Sequence, residues 1–217
     1  TQLTAYTPKI KGTDGKPLTG SIAELRKVNL NGHQEWITIR GNDRTAPVLL
    51  FLAGGPGGSQ LTATRADLGA LEEHFVVVNW DQPGSAKSYS CMNRKEITPQ
   101  TYIDDGIALT ESLREEFGKD KIYLVGESWG SALGIFLIGT RPEYYAGMIG
   151  TGQMIDFMET DKMNYQMAME FAKKDHDQKL IDQLTREGEP PYYSGNICMR
   201  SMPYISRLST YMANHPD

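Results

Sequence analysis

The chain has 217 residues, 39% of them hydrophobic, which suits one domain with a buried core or one domain carrying a modest insertion. A net charge of −5 argues against the basic footprint of a nucleic-acid binder, and no apolar run approaches the roughly 20 residues that span a bilayer. The two cysteines, Cys91 and Cys198, lack metal-site spacing and read as unpaired thiols, a disulfide being open to them only in an oxidising compartment, so neither a metal nor an organic cofactor is implied.

Residues 1–20 are rich in Thr, Lys, Gly and Pro and read as a loose arm or edge segment. Residues 25–30 and 36–40 alternate apolar with polar around Asn31-Gly32, which predicts an antiparallel hairpin. Residues 48–52 and 75–78 are continuous apolar runs of the kind buried on both faces of a parallel sheet, with a helix over 62–73 as their right-handed crossover. A helix from Asp104 to Phe117 presents Ile103, Ile107, Leu113 and Phe117 on one face and stops at Gly118. Residues 122–125 form the next strand, residues 131–137 a buried helix, and residues 146–151 a short further strand. This alternation is a doubly wound α/β arrangement.

The pattern then changes. Met163, Met167, Ala168, Phe171 and Ala172 predict an amphipathic helix, Leu180, Ile181 and Leu184 a second, and Ile205, Leu208, Tyr211 and Met212 a third. Residues 1–153 are therefore assigned to an α/β core and 154–217 to a helical segment. No parallel strand follows it.

Chemistry concentrates at Gly126-Glu127-Ser128-Trp129-Gly130, between a strand and a helix. A Gly-x-Ser-x-Gly turn in that setting is a nucleophile elbow: the serine sits on a strained corner, and small residues on both sides avoid clashes. The helix N-terminus behind it would stabilise negative charge developing in acyl transfer. Two further motifs follow the preceding core strands: Ala53-Gly54-Gly55-Pro56-Gly57-Gly58, and Asp81-Gln82-Pro83-Gly84-Ser85-Ala86-Lys87-Ser88. The three together resemble the signatures of proline iminopeptidase-type α/β-hydrolases, which read His-Gly-Gly-Pro-Gly, Asp-Gln-Arg-Gly-x-Gly-x-Ser and Gly-Gly-Ser-Trp-Gly.

The resemblance covers residues 25–152, and the segment after 154 resembles the cap those enzymes place over the site. It implies Ser128 as nucleophile, the N–H groups of Gly55 and Trp129 as oxyanion hole, and a cis bond before Pro56. Ala53, Pro83, Ala86 and Glu127 depart from the family's His, Arg, Gly and Gly. Glu127 could bind a substrate's cationic N-terminus or pack outward as a solvated strand-end charge, the latter being the simpler expectation. Glu159 and Glu170, in the cap segment, are weaker candidates for recognising an amine and read first as helix surface.

A serine needs a base, and the base an orienting carboxylate, which in this fold both follow the nucleophile. His176 lies in a charge run, His215 three residues from the end. His33 and His74 precede Ser128, one in the hairpin turn and the other opening a strand. None occupies the family's position for the base, and the strand that would carry the acid is not evident. The expectation is a serine hydrolase cleaving an N-terminal residue from peptides, or a small amide or ester. Its alternatives are a carboxylesterase or lactonase, and a non-catalytic binding protein on a truncated hydrolase scaffold. The missing Asp–His pair would come from a complementing C-terminal polypeptide or from chain beyond a truncation. A sheet ending near residue 151 is also expected to expose apolar surface, hence instability or self-association. The first residue, Thr1, and the non-basic composition lean toward an exported or surface-anchored protein.

Overall fold

The computed structural model describes residues 6–194 and 196–214, so His215 and the start of the arm lie outside it. The chain divides into two compact units, Thr1–Met154 and Ile155–Asp217. In the first, strands β1 (Ile22–Leu30), β2 (His33–Gly41), β3 (Val48–Leu52), β4 (Val76–Asp81), β5 (Ile122–Glu127) and β6 (Tyr145–Thr151) form one sheet in the order β1-β2-β4-β3-β5-β6. The first two pair antiparallel, and β2 pairs antiparallel with β4. From β4 across to β6 the sheet is parallel.

Local sequence explains these elements. Asn31 and Gly32 both adopt positive φ, 48° and 92°, as a tight hairpin turn with right-handed strand twist demands. Strands β3 and β4 are buried along their whole length, which is why their sequences are unbroken apolar runs. The crossover expected over 62–73 is two pieces, α1 (Leu61–Asp67) and a 3-10 turn at Gly69–Glu73. Leu68 and Gly69 interrupt the α-helix, glycine being a poor helix former. Helix α2 (Pro99–Phe117) begins with a capping box between Thr98 and Thr101 and ends on Gly118 at φ 60°. Its buried residues are Tyr102, Asp105, Gly106, Leu109, Thr110 and Leu113, while Ile103, Ile107 and Phe117 flank that stripe partly buried.

Helix α3 (Trp129–Thr140) corrects the expectation of a fully buried helix. Leu133 and Leu137 are buried, but Ile135 and Phe136 are exposed. On the outermost parallel strand, β6, Ile149 is 68% exposed. Nothing among the described residues pairs with the free edge of β6.

The interior holds an acid pair that the sequence did not announce. Glu35 on β2 and Asp105 on α2 are 0% and 1% exposed and act on each other, and Glu35 Oε1 and Asp105 Oδ2 are buried with no donor among the described residues. Trp80 Nε1 donates to Glu35 Oε2 at 2.6 Å, and Asn31 Nδ2 donates to Asp105 Oδ1 at 2.8 Å. Two carboxyl groups can be buried in contact only if they share a proton. Burial first, then the Asp105 charge, pushes Glu35 up to about 9.

The second unit consists of α4 (Phe157–Lys174), α5 (Gln178–Glu187) and α6 (Ile197–Asn214). Asp156 and Asp177 cap the first two by accepting from the Glu159 and Leu180 N–H groups. Ala168, Leu184, Tyr192 and Tyr204 form its core, and Tyr204 donates to the buried Asp161 at 2.6 Å. The expected α4 stripe is therefore only half right. Ala168 and Ala172, four residues apart, are its buried face, because small side chains let helices approach closely. Met163 and Met167 are exposed, as are Ile205 and Met212 on α6. No helix among the described residues is long and apolar enough to cross a membrane.

Candidate active site

The three motifs lie at the C-terminal ends of β3, β4 and β5. The chain runs from β3 to β4 on one side and later to β5 on the other, so the crevice between these ends is a topological switch point, where open α/β sheets bind ligands.

Ser128 is the single residue between β5 and α3, at φ 51° and ψ −118°, a conformation a non-glycine residue holds only when its surroundings impose it. Its neighbours show what imposes it. A Cβ on Gly126 would collide with the Gly130 carbonyl, and one on Gly130 with the Leu52 carbonyl of β3. The turn is pinned further by Ser128 N–H donating to Thr151 O at 2.9 Å and by Ser131, whose N–H donates to Ser128 O at 2.9 Å. Ser131 Oγ also donates to that carbonyl and accepts from Met154 N–H at 3.0 Å.

The loop after β3 faces this turn. A Cβ built on Gly54 would stand 3.3 Å from Ser128 Cβ. Gly55 holds φ 133°, its bond to Pro56 is cis, and Gly58 N–H closes the turn onto Gly54 O at 3.0 Å. Neither the Gly55 nor the Trp129 N–H has a hydrogen-bond partner among the described residues. Sequence reasoning missed the residue that ties the motifs together. Gln82 is fully buried, donates Nε2–H to Ala53 O at 3.1 Å and accepts from Trp129 Nε1 at 3.2 Å, so one amide fixes both loops. Its place within the Asp-Gln motif was the available signal.

Asp81 is buried and accepts from Ser59 Oγ at 2.5 Å and from Lys87 N–H at 3.1 Å; burial raises its pKa above the usual carboxylate range. Ala86 stands at φ 35°, where the family pattern has glycine. A cleft of about 380 Å³ opens beside the loops, lined by Pro56, Gly57, Pro83, Ile97, Tyr102 and Trp129, with the Tyr102 and Trp129 rings edge to face at 5.6 Å.

Glu127 corrects the expectation of an outward, solvated charge. It is half-buried, and Gln60 Nε2 hydrogen-bonds its Oε2. Its Oε2 stands 3.5 Å from where a Gly54 side chain would begin, so the carboxylate lies over that loop. Glu159 is exposed and pairs with Lys162 at 3.7 Å; Glu170 is exposed on α4. His33 and His74 make no hydrogen bond to the Ser128 turn. His33 begins β2, His74 follows the 3-10 turn before β4, and His176 sits between α4 and α5 at φ 55°. Ser128 Oγ makes no hydrogen bond with a histidine or a carboxylate among the described residues. Cys91 and Cys198 are both free. No metal-ligating cluster is found among the described residues.

Comparison with known proteins gives the same outline. The family model described as the alpha/beta hydrolase fold matches residues 47–180. A Bacillus subtilis protein named probable aminopeptidase YbaC is 34% identical over 81% of this chain and 56% of its own length. A proline iminopeptidase of Lactobacillus delbrueckii subsp. bulgaricus is 33% identical over 54% and 39%. The crystal structure of a proline iminopeptidase-related protein from Thermus thermophilus superposes with a TM-score of 0.57 at 22% identity, over 68% of this chain and 50% of that one, a likeness of fold. The chain thus spans about half the length of the relatives it matches. It belongs to the α/β-hydrolase family, with relatives among proteins named aminopeptidase and proline iminopeptidase.

Proposed function

We propose that this chain carries the nucleophile and oxyanion hole of a serine hydrolase that removes the N-terminal residue of a peptide, or cleaves a small amide or ester. One observation carries the reading: Ser128 is held at positive φ on a corner packed too tightly for side chains at Gly126 and Gly130, facing a loop with a free N–H. Such strain persists where function requires it. The names of the relatives support the peptidase side of the reading.

In this mechanism Ser128 Oγ attacks the carbonyl carbon and its proton passes to a base. The carbonyl oxygen, now negative, accepts from the Gly55 and Trp129 N–H groups, each such donor being worth about 3–4 kcal/mol in the transition state. The amine leaves with the proton, and water releases the acyl group from Ser128. The base would be a histidine other than His33 and His74, which lie in the same unit as Ser128 and do not bond to it. A complementing polypeptide, or further chain of the kind the longer relatives possess, would supply it with its acid.

Fluorophosphonate labelling read by intact mass, done on the chain together with the polypeptide or further chain that supplies the base, tests this. One adduct, lost in Ser128→Ala, is expected. No adduct on a folded sample would overturn the reading in favour of a non-catalytic binding protein. A carboxylesterase or lactonase would label equally and is told apart by substrate turnover.

A further inference from the structure

Glu127 and Ser128 flank one spot. The Cβ position above Gly54 that lies 3.3 Å from Ser128 Cβ also lies 3.5 Å from Glu127 Oε2. The carboxylate therefore stands over the loop face that the nucleophile addresses. It is half-buried, and no Lys or Arg among the described residues pairs with it. Its Oε2 is taken by Gln60, and Oε1 accepts no hydrogen bond among the described residues. Asp81, the other carboxylate at these strand ends, is 1% exposed and already engaged by Ser59 and Lys87.

Glu127 Oε1 is not among the buried unpartnered atoms, so it remains available to an incoming donor. The α-ammonium of an aminoacyl substrate is attached one carbon from the scissile carbonyl, so its recogniser must sit within a few ångströms of the nucleophile. Glu127 meets that condition. With one oxygen occupied by Gln60, it offers a single acceptor point, which suits a compact ammonium and not the two-pronged fork of a guanidinium.

We propose that Glu127 is a specificity-determining residue whose free Oε1 binds the α-ammonium group of the substrate's N-terminal residue. This rests on Ser128 being the nucleophile. The geometry gives the role to the residue next to Ser128, where the family pattern has glycine.

The test compares two reagents on the full chain, a diphenyl α-aminoalkylphosphonate and its N-acetyl counterpart, each phosphonylating the nucleophile by loss of phenol. The readout is the ratio of their labelling rates by intact mass. One charge-assisted hydrogen bond predicts a ratio of roughly ten or more in the unaltered chain at low salt, shrinking as salt rises. Glu127→Gln should bring the ratio to about one, and Glu127→Asp should restore part of it. Glu159→Gln and Glu170→Gln should leave it high. A ratio near one in the unaltered chain overturns the inference without a variant having to fold. A ratio that survives Glu127→Gln also overturns it, and means that Glu127 only braces Gln60 and the loop. Labelling by neither reagent, with none by fluorophosphonate, removes the nucleophile and this inference with it; labelling by fluorophosphonate alone overturns the inference and leaves Ser128 standing.

Discussion

Glu35 shows how a single residue can carry a pH dependence far from the reacting atoms. Asp105 from α2 and Trp80 from β4 act on it directly, Cys91 feels its charge, and Asn31 and His33 from the hairpin act on Asp105 in turn. Its pKa rises from 4.5 to about 9 on folding, so the folded state holds the proton more tightly than the unfolded one. The stability this gives is complete below about pH 4.5 and is lost as pH climbs through 9, at up to about 1.4 kcal/mol per unit. Glu35→Gln keeps an acceptor for Trp80 and gains an N–H for Asp105 without needing a proton. Thermal melts of this variant should therefore fall less between pH 5 and pH 8 than those of the unaltered chain. Parallel curves would refute a shared proton. Glu127 teaches a second lesson at this scale. Its place beside the nucleophile is plain in the sequence, but its orientation is set by Gln60, 67 positions earlier, and no local pattern encodes that pairing.

At the scale of elements, the elbow is a packing problem solved by glycine. Gly130 lets α3 start against the β3 backbone, and a methyl there would meet the Leu52 carbonyl. Gly130→Ala should cost about 3 kcal/mol, read as a lower urea midpoint with an unchanged slope. The same exchange at Gly139, on the same helix with nothing within 4 Å of the added carbon, should be neutral or stabilising by up to about 1 kcal/mol. Equal losses at both sites would mean that α3 simply rejects substitution. The three motifs were legible because each is a contiguous string at a strand end. Gln82 as their common brace was not, because it bonds to Ala53 and Trp129, which only folding brings near.

Across the whole molecule, the unpaired edge of β6 and the exposed Ile135, Phe136 and Ile149 are apolar surface without a covering layer among the described residues. Open edges and apolar patches of this kind promote association. Sedimentation velocity should show the weight-average coefficient rising with concentration, and Ile149→Lys should shift the distribution toward monomer. A single species independent of concentration would sink that expectation. The two compact units also differ in kind. The first is organised by a sheet, whereas α4 to α6 close on a small core around Tyr204, whose hydroxyl is bound to Asp161.

By itself the sequence determined the strand–helix alternation, the hairpin at Asn31-Gly32 and the three loops at the strand ends. These are written in short-range periodicity and in residues whose backbone needs are local. Tertiary structure decided the rest: which face of α4 is buried, that α3 is exposed along Ile135 and Phe136, and that Glu35 and Asp105 meet. It also turned Glu127 over the Gly54 loop. Contacts between residues distant in sequence depend on the whole sheet assembling, and a one-dimensional pattern holds no distances between its parts.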